Sequence, residues 1–286
     1  MRDYFCGWYF KAQSKEKTLA LIAAYHRSKN GASSSVQIIT DDGAWNAVYP
    51  FEAFRKDKRG FRVSVGGNSF SREGLSLDID RDGLRASGRL EFGEWTPLKY
   101  DVMGPFAFVP FMECRHSVLS MYHTVNGSIT LNGEEYVFTD GKGYIEGDRG
   151  SSFPSVYSWT QALFDNGSLM LSVAEIPFGP FRFTGVIGAV LIGGREHRVA
   201  TYLGARAKRI AGGELVIKQG STLLTAKLIE KRAMDLAAPV KGEMTRTIRE
   251  SASCRAAYRF EKKGAVLLDE ETPRASFEYE YPDKAD

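Results

Sequence analysis

Cysteine is scarce in this 286-residue chain: Cys6, Cys114 and Cys254 are far apart, odd in number and form no CxxC. That excludes a disulfide framework and fits a reducing compartment. Long hydrophobic runs are missing too. The longest, Phe183 to Ile192, is strand-sized, well short of the roughly 20 residues a spanning helix needs. The start, Met1-Arg2-Asp3-Tyr4-Phe5-Cys6-Gly7-Trp8, lacks a signal-peptide core, so a cytoplasmic protein without an integral membrane span is expected. Charge of one sign is not in excess: the net charge is +3. A nucleic-acid binder would concentrate Lys and Arg on one face, and here the two basic clusters are short. Arg55-Lys56-Asp57-Lys58-Arg59 and Arg206-Ala207-Lys208-Arg209 are expected as solvated turns. No Gly-x-Ser-x-Gly elbow, P-loop or dinucleotide fingerprint occurs between a strand and a helix, which disfavours hydrolase, NTPase and Rossmann chemistry. Of the four histidines, His26 and His197 are isolated. His116 and His123 are seven apart, so one continuous strand points them to opposite faces. Neither metal nor cofactor is expected, and all four histidines read as satisfied or solvated.

What the chain has in abundance is period-two alternation. Phe61, Val63 and Val65 alternate with Arg62 and Ser64, and Leu75, Leu77 and Ile79 with Ser76, Asp78 and Asp80. Leu169, Leu171 and Val173 are spaced likewise, as are Phe277, Tyr279 and Tyr281 against Glu278 and Glu280. Such alternation gives antiparallel sheet with one face in a core and one in water. Asp42-Gly43, Asp82-Gly83, Asn132-Gly133, Gly193-Gly194, Gly212-Gly213 and Lys263-Gly264 separate strand-like runs. Asn126-Gly127-Ser128 and Asn166-Gly167-Ser168 match a glycosylation pattern but read as hairpin turns. Helical signal is thin: Lys15 to Tyr25 has some propensity, and Ala233 to Ala238 is expected as a turn of helix before Pro239. The fold class is therefore all-β with little helix. About eight strand candidates precede residue 143 and about eight follow it, consistent with two tandem antiparallel up-and-down barrels of lipocalin size, residues 1–142 and 143–286.

The segment from Gly143 to Gln161 gathers Glu146, Asp148, Arg149, Tyr144, Tyr157 and Trp159 around a bend broken by Gly150 and Pro154. Glu146 and Asp148 are paired carboxylates at i, i+2, so a strand turns both to one side. Buried among Tyr144, Phe153, Tyr157 and Trp159, a carboxyl would have a raised pKa and could donate a proton. The alternative is a structural bend in which Asp148 accepts backbone N–H bonds and Glu146 pairs with Arg149. Arg182, between Phe181 and Phe183, either binds an acidic head group or faces outward from the wall. Trp8 and Trp159 line a pocket or pack a core.

This segment resembles the central motif of the tocopherol cyclase-like family: aromatic, Glu, Lys, Asp or Asn, Trp, Gly, x, Ser, Phe, Pro, then Trp-x-Gln. Glu146, Asp148, Gly150, Ser152, Phe153, Pro154, Trp159 and Gln161 fall on it. Gly147 replaces the family's Lys, Arg149 its Trp, and Leu163 the Asn that often follows the Gln. Gly7-Trp8-Tyr9-Phe10-Lys11 is similar to the family's amino-terminal motif, and Gly242 to Ser251 is similar to its late Gly-x-Met-x-Arg-x-Ile-x-Glu-Ser segment. The resemblance implies two lipocalin-like barrels with an apolar pocket, and it makes Leu19 to His26 a strand beside Gly7 to Lys11. It also implies a small apolar ligand, isoprenoid or polyketide-like, and cofactor-free acid-assisted cyclisation. On this reading Glu146 or Asp148 is the proton donor, while Trp8, Tyr144, Arg149, Phe153, Tyr157, Trp159, Gln161 and Arg182 contact the ligand. Related double-barrel families catalyse carotenoid hydration or pericyclic closure. A non-catalytic hydrophobic-ligand carrier is the other reading, and ligand identity and oligomeric state stay open.

Overall fold

The computed structural model describes residues 3–57, 60–110, 112–178, 180–230 and 234–282. Lys58, Arg59 and Ala233 lie outside the described residues, as do the side chains of residues 245–251. Among the described residues the regular structure is antiparallel strand, apart from three short 3-10 turns at Phe51–Ala53, Gly104–Phe108 and Thr201–Leu203. The all-β expectation holds, and its tandem lipocalin-like barrels correspond to two large sheets.

The first sheet begins with β1 (Tyr4–Gln13), β2 (Thr18–Ser28), β3 (Gly31–Thr40) and β4 (Ala44–Pro50). It continues with β5 (Phe54–Lys56), β6 (Arg62–Val65), β7 (Asn68–Ser71), β8 (Gly74–Arg81) and β9 (Leu84–Phe92). The long strands β10 (Cys114–Leu131) and β11 (Glu134–Gly150) complete it. Its spatial order is β4-β3-β2-β1-β11-β10-β9-β8-β7-β6-β5. The second sheet contains β12 (Tyr157–Phe164), β13 (Gly167–Phe178), β14 (Phe181–Ile192) and β15 (Arg195–Arg198). Then come β16 (Arg206–Ala211), β17 (Glu214–Gln219), β18 (Thr222–Glu230), β19 (Met234–Val240), β20 (Glu243–Lys262) and β21 (Ala265–Tyr279). Its order is β15-β14-β13-β12-β21-β20-β18-β17-β16, with β19 paired to β20 off this path. The two sheets repeat one plan: four strands, then a pairing of first strand with last, then the remainder.

By contact the chain divides into two compact units. The first comprises Met1–Pro97, Glu113–Phe153 and Ala237–Thr247; the second comprises Leu98–Met112, Pro154–Leu236 and Ile248–Asp286. Each has its own apolar core. Trp8, Phe10, Leu21, Ile38, Phe70, Phe138 and Ile145 belong to the first, and Phe164, Leu171, Val190, Ile217, Tyr258 and Phe277 to the second.

Local chemistry explains much of this. The six expected turns all separate strands. At Asp82-Gly83, Asn132-Gly133 and Lys263-Gly264 both residues have positive φ, the twist a two-residue hairpin requires. Gly7 faces Ala24 and Lys11 faces Ala20, so Leu19 to His26 is the strand expected. Three expectations change. Asn126-Gly127-Ser128 is a bulge inside β10, where the register shifts between Val125 and Gly127. Residues from Met234 onward are strand, drawn into β19 by pairing with β20. The described parts of the basic clusters are strand: Arg55 and Lys56 lie on β5, and Arg206, Lys208 and Arg209 on β16, each at an edge of its sheet. Exposed charge there blocks edge-to-edge pairing with another chain.

Candidate active site

The site is built on β11, whose alternation separates two sets of residues. Gly143, Ile145, Gly147 and Arg149 take one face; Tyr144, Glu146 and Asp148 take the other. Ile145 packs in the first core. Its two glycine neighbours are small for a reason. A Cβ on Gly143 would lie 2.2 Å from His123 Nε2, and one on Gly147 would lie 2.8 Å from Trp8 Cδ1. Flat rings lie on the strand where a Lys side chain stands in the resembling family.

Opposite β11 runs β10, with His116 directly across from Asp148 and Val118 across from Glu146. His116 Nδ1 is 2.9 Å from Asp148 Oδ1, and its Nε2 is 3.2 Å from Glu146 Oε2. The first contact is a hydrogen bond; the second is an ion pair without hydrogen-bond alignment. The Tyr144 hydroxyl donates to the same Glu146 oxygen at 2.6 Å, and Cys114 Sγ is 3.6 Å from Asp148 Oδ1. Tyr144, Glu146 and His116 are all buried.

Burial alone would push the His116 pKa down, but the adjoining carboxylates of Glu146 and Asp148 outweigh it and hold the pKa well above the usual histidine value. The imidazole is therefore a cation clamped between two anions. Tyr144 is held well above the ordinary tyrosine value, first by burial and then by the Glu146 charge. Burial and the Asp148 charge do the same to the Cys114 thiol, which makes it a poor nucleophile. The result is a proton store, with one cation serving two carboxylates and a phenol.

Ligand atoms of His116, Glu146 and Asp148 all lie within 4.8 Å of one another, so metal binding has to be considered. The carboxylates address opposite ring nitrogens rather than converging on one point. A zinc-type ion could take Nε2 with Glu146, leaving Asp148 as outer partner to Nδ1, but the imidazole would first have to lose its proton. The arrangement suits a clamped imidazolium better than a chelate.

The other expected site residues are distributed as follows. Arg149 is exposed and on the opposite face of β11 from Glu146, so the Glu146–Arg149 pair considered for the bend does not form. His116 takes that place, a satisfied histidine whose partners are the two carboxylates of the motif. Trp8 is in the first core, stacked on Phe54 with ring centroids 6.3 Å apart. Phe153 meets Phe5 edge-on at 5.2 Å. In the second unit Tyr157 donates a hydrogen bond to Glu278, and Trp159 sits across from Glu278. Gln161 is fully buried on the same strand, with both amide atoms lacking a hydrogen-bond partner. Arg182 is exposed. Alternation predicts Glu278 on the water-facing side of its strand, yet β21 buries Phe277 and Glu278 alike. A cavity of about 300 Å³ also opens in the second unit, lined by Phe164, Ile192 and Leu268 with Asn166, Asp269 and Glu270 among others.

His116 left little trace in the sequence. Its role depends on the β10–β11 register, and β10 is interrupted by shifts between Val118 and Ser120 and between Ser120 and His123.

No family profile matches the sequence, and no curated protein matches it. Solved structures do. CghA with Sch210972 is similar over 99% of this chain and 90% of its own, at a TM-score of 0.65 and 10% identity. A second structure of CghA gives the same figures. Kievitone hydratase from Nectria haematococca is similar over 98% of this chain and 89% of its own, at a TM-score of 0.57 and 13% identity. At such identities the likeness is one of fold, and it extends over nearly the whole chain.

Proposed function

We propose that this chain is a cofactor-free acid–base catalyst that cyclises an apolar, isoprenoid or polyketide-like small molecule. The observation that carries the reading is the buried His116 cation held between Glu146 and Asp148, with Tyr144 donating to Glu146. Asp148 fixes the orientation of the imidazole. Glu146 touches both the imidazole and the phenol, so it is the group that passes a proton between the store and a substrate. Addition of a phenol across an alkene balances on such a site. The proton goes to one alkene carbon, the phenol oxygen bonds the cation left on the other, and the phenol proton returns to the carboxylate. Burial keeps water from intercepting the cation. Similarity in fold to a hydratase and to a protein solved with Sch210972 supports a small-molecule reading.

The carrier reading draws support from the cavity of the second unit, where Phe164, Ile192 and Leu268 offer apolar contact beside Asn166, Asp269 and Glu270. Turnover in D₂O separates the two. Incubation with prenylated hydroquinones and polyketide-like polyenes, followed by mass spectrometry, is expected to give a ring-closed product carrying one solvent deuterium. Recovery of every probe unchanged, in stoichiometric complex, would establish a carrier instead.

A further inference from the structure

The face of β11 that points away from Glu146 contributes to the interior of the first barrel, where two buried polar atoms have no hydrogen-bond partner: His123 Nε2 and Trp95 Nε1. His123 is 1% exposed and Trp95 9%. A buried polar group left unpaired costs about 1–3 kcal/mol, so two together in one apolar interior call for a reason.

The protonation state of His123 follows from its neighbours. Ser120 Oγ donates its single proton to the Tyr122 carbonyl at 2.8 Å. It also accepts the Thr96 N–H at 3.2 Å. With the serine proton on that carbonyl, the remaining contact, His123 Nδ1 at 3.0 Å, is assigned as Nδ1–H donating to the serine oxygen. Nε2 is thereby the bare nitrogen of a neutral ring, and burial keeps it so by lowering the pKa to about 3. Its lone pair is clear of the strand. The position of a Cβ on Gly143 would be 2.2 Å from Nε2 and 2.6 and 2.7 Å from the two adjoining ring carbons. Those distances put Gly143 over the face of the ring, whereas the lone pair lies in its plane.

Trp95 supplies the complement, a donor N–H, with its ring centroid 6.3 Å from that of His123. Two hydrogen bonds of about 2.9 Å to one oxygen span up to about 6 Å between nitrogens. The surroundings are aromatic: Phe92 packs edge-on to His123 at 4.8 Å, and Phe61 to Trp95 at 5.3 Å. Phe61 and Phe92 are only partly buried.

We propose that the first barrel binds a planar apolar molecule through a single hydroxyl group, which donates to His123 Nε2 and accepts from Trp95 Nε1–H. A hydroxyl satisfies both atoms at once. A carbonyl or ether would serve Trp95 and leave His123 unpaired. This site is on the opposite face of β11 from the acid cluster, and it stands or falls independently of the proposed reaction.

The test uses the full chain with two probes, 1-naphthol and its methyl ether 1-methoxynaphthalene. Calorimetry is expected to show naphthol binding at least about tenfold more tightly than the ether, the factor one lost buried hydrogen bond produces. His123→Phe and Trp95→Phe are each expected to weaken naphthol and shrink that preference. Because either variant could fail to fold, the ¹⁵N resonance of His123 Nε2 in the unaltered protein provides a second readout; it is expected to move with naphthol and stay put with the ether. Equal affinity for both probes, no naphthol binding up to its solubility, or an unmoved Nε2 resonance would each overturn the proposal.

Discussion

His116 faces Asp148 directly across the β10–β11 ladder, so a single residue pair couples the register of the two longest strands of the first sheet to the protonation state of the site. The clamp should leave both imidazole nitrogens protonated at neutral pH. ¹⁵N NMR at pH 7.5 is expected to show two N–H groups on His116, and a neutral tautomer there would refute the charge assignment.

The same shift sets a direction for stability. The folded-state pKa of His116 lies above the unfolded value of about 6.5. Its contribution is therefore fully present below about pH 6.5 and is lost as pH rises through the folded value. Urea midpoints are expected to fall on the alkaline side in the parent protein and to fall less steeply in His116→Gln.

Replacing Glu146 tests function against structure. In Glu146→Gln the imidazolium keeps Asp148 as counter-ion, so the variant should fold with a loss of about 1–3 kcal/mol and lose turnover. Adding Asp148→Asn leaves a buried charge with no anion and should cost about 3–5 kcal/mol relative to the parent. If Glu146→Gln unfolds while Asp148→Asn remains active, Glu146 is a structural partner of His116 and the proton-relay role fails.

Gly147→Lys restores the residue type of the resembling family and should be harmful here. Its Cβ would approach Trp8 Cδ1 to 2.8 Å, and Trp8 is stacked on Phe54 with little room to retreat. Denaturation is expected to show a loss of about 1–3 kcal/mol, with a change in near-ultraviolet circular dichroism from the displaced indole.

Gln161 carries a buried amide that finds no hydrogen-bond partner. In the ligand-free protein, Gln161→Leu should raise stability by about 1–3 kcal/mol, the cost of leaving such a group unpaired. A fall in melting temperature would show instead that the amide is satisfied in solution.

The fold was legible because its determinants are local. Alternating residues such as Leu75, Leu77 and Ile79, and turns such as Asn132-Gly133, act over a few residues and state their structure in sequence order. The acidic half of the site was legible for the same reason, since Tyr144, Glu146 and Asp148 share a face by parity alone. The other half was not. His116 meets Glu146 and Asp148 only after β10 pairs with β11 in one register, and three shifts along the ladder set that register. Glu278 was hidden differently: alternation assumes that one face of a strand meets water, and β21 buries both Phe277 and Glu278.

The pairing of first strand with last has a kinetic consequence. β1 can form a hairpin with β2 soon after synthesis, but its other edge waits for β11, whose partner residues Lys142 to Gly150 lie more than a hundred positions later. Until then the segment Trp8-Tyr9-Phe10 presents an open, aromatic strand edge of the kind that recruits other chains. β12 waits in the same way for β21. Early release of the nascent chain, or slowing of elongation before β11 emerges, should therefore favour aggregation over folding, and a chaperone acting on this protein has most to do in that interval.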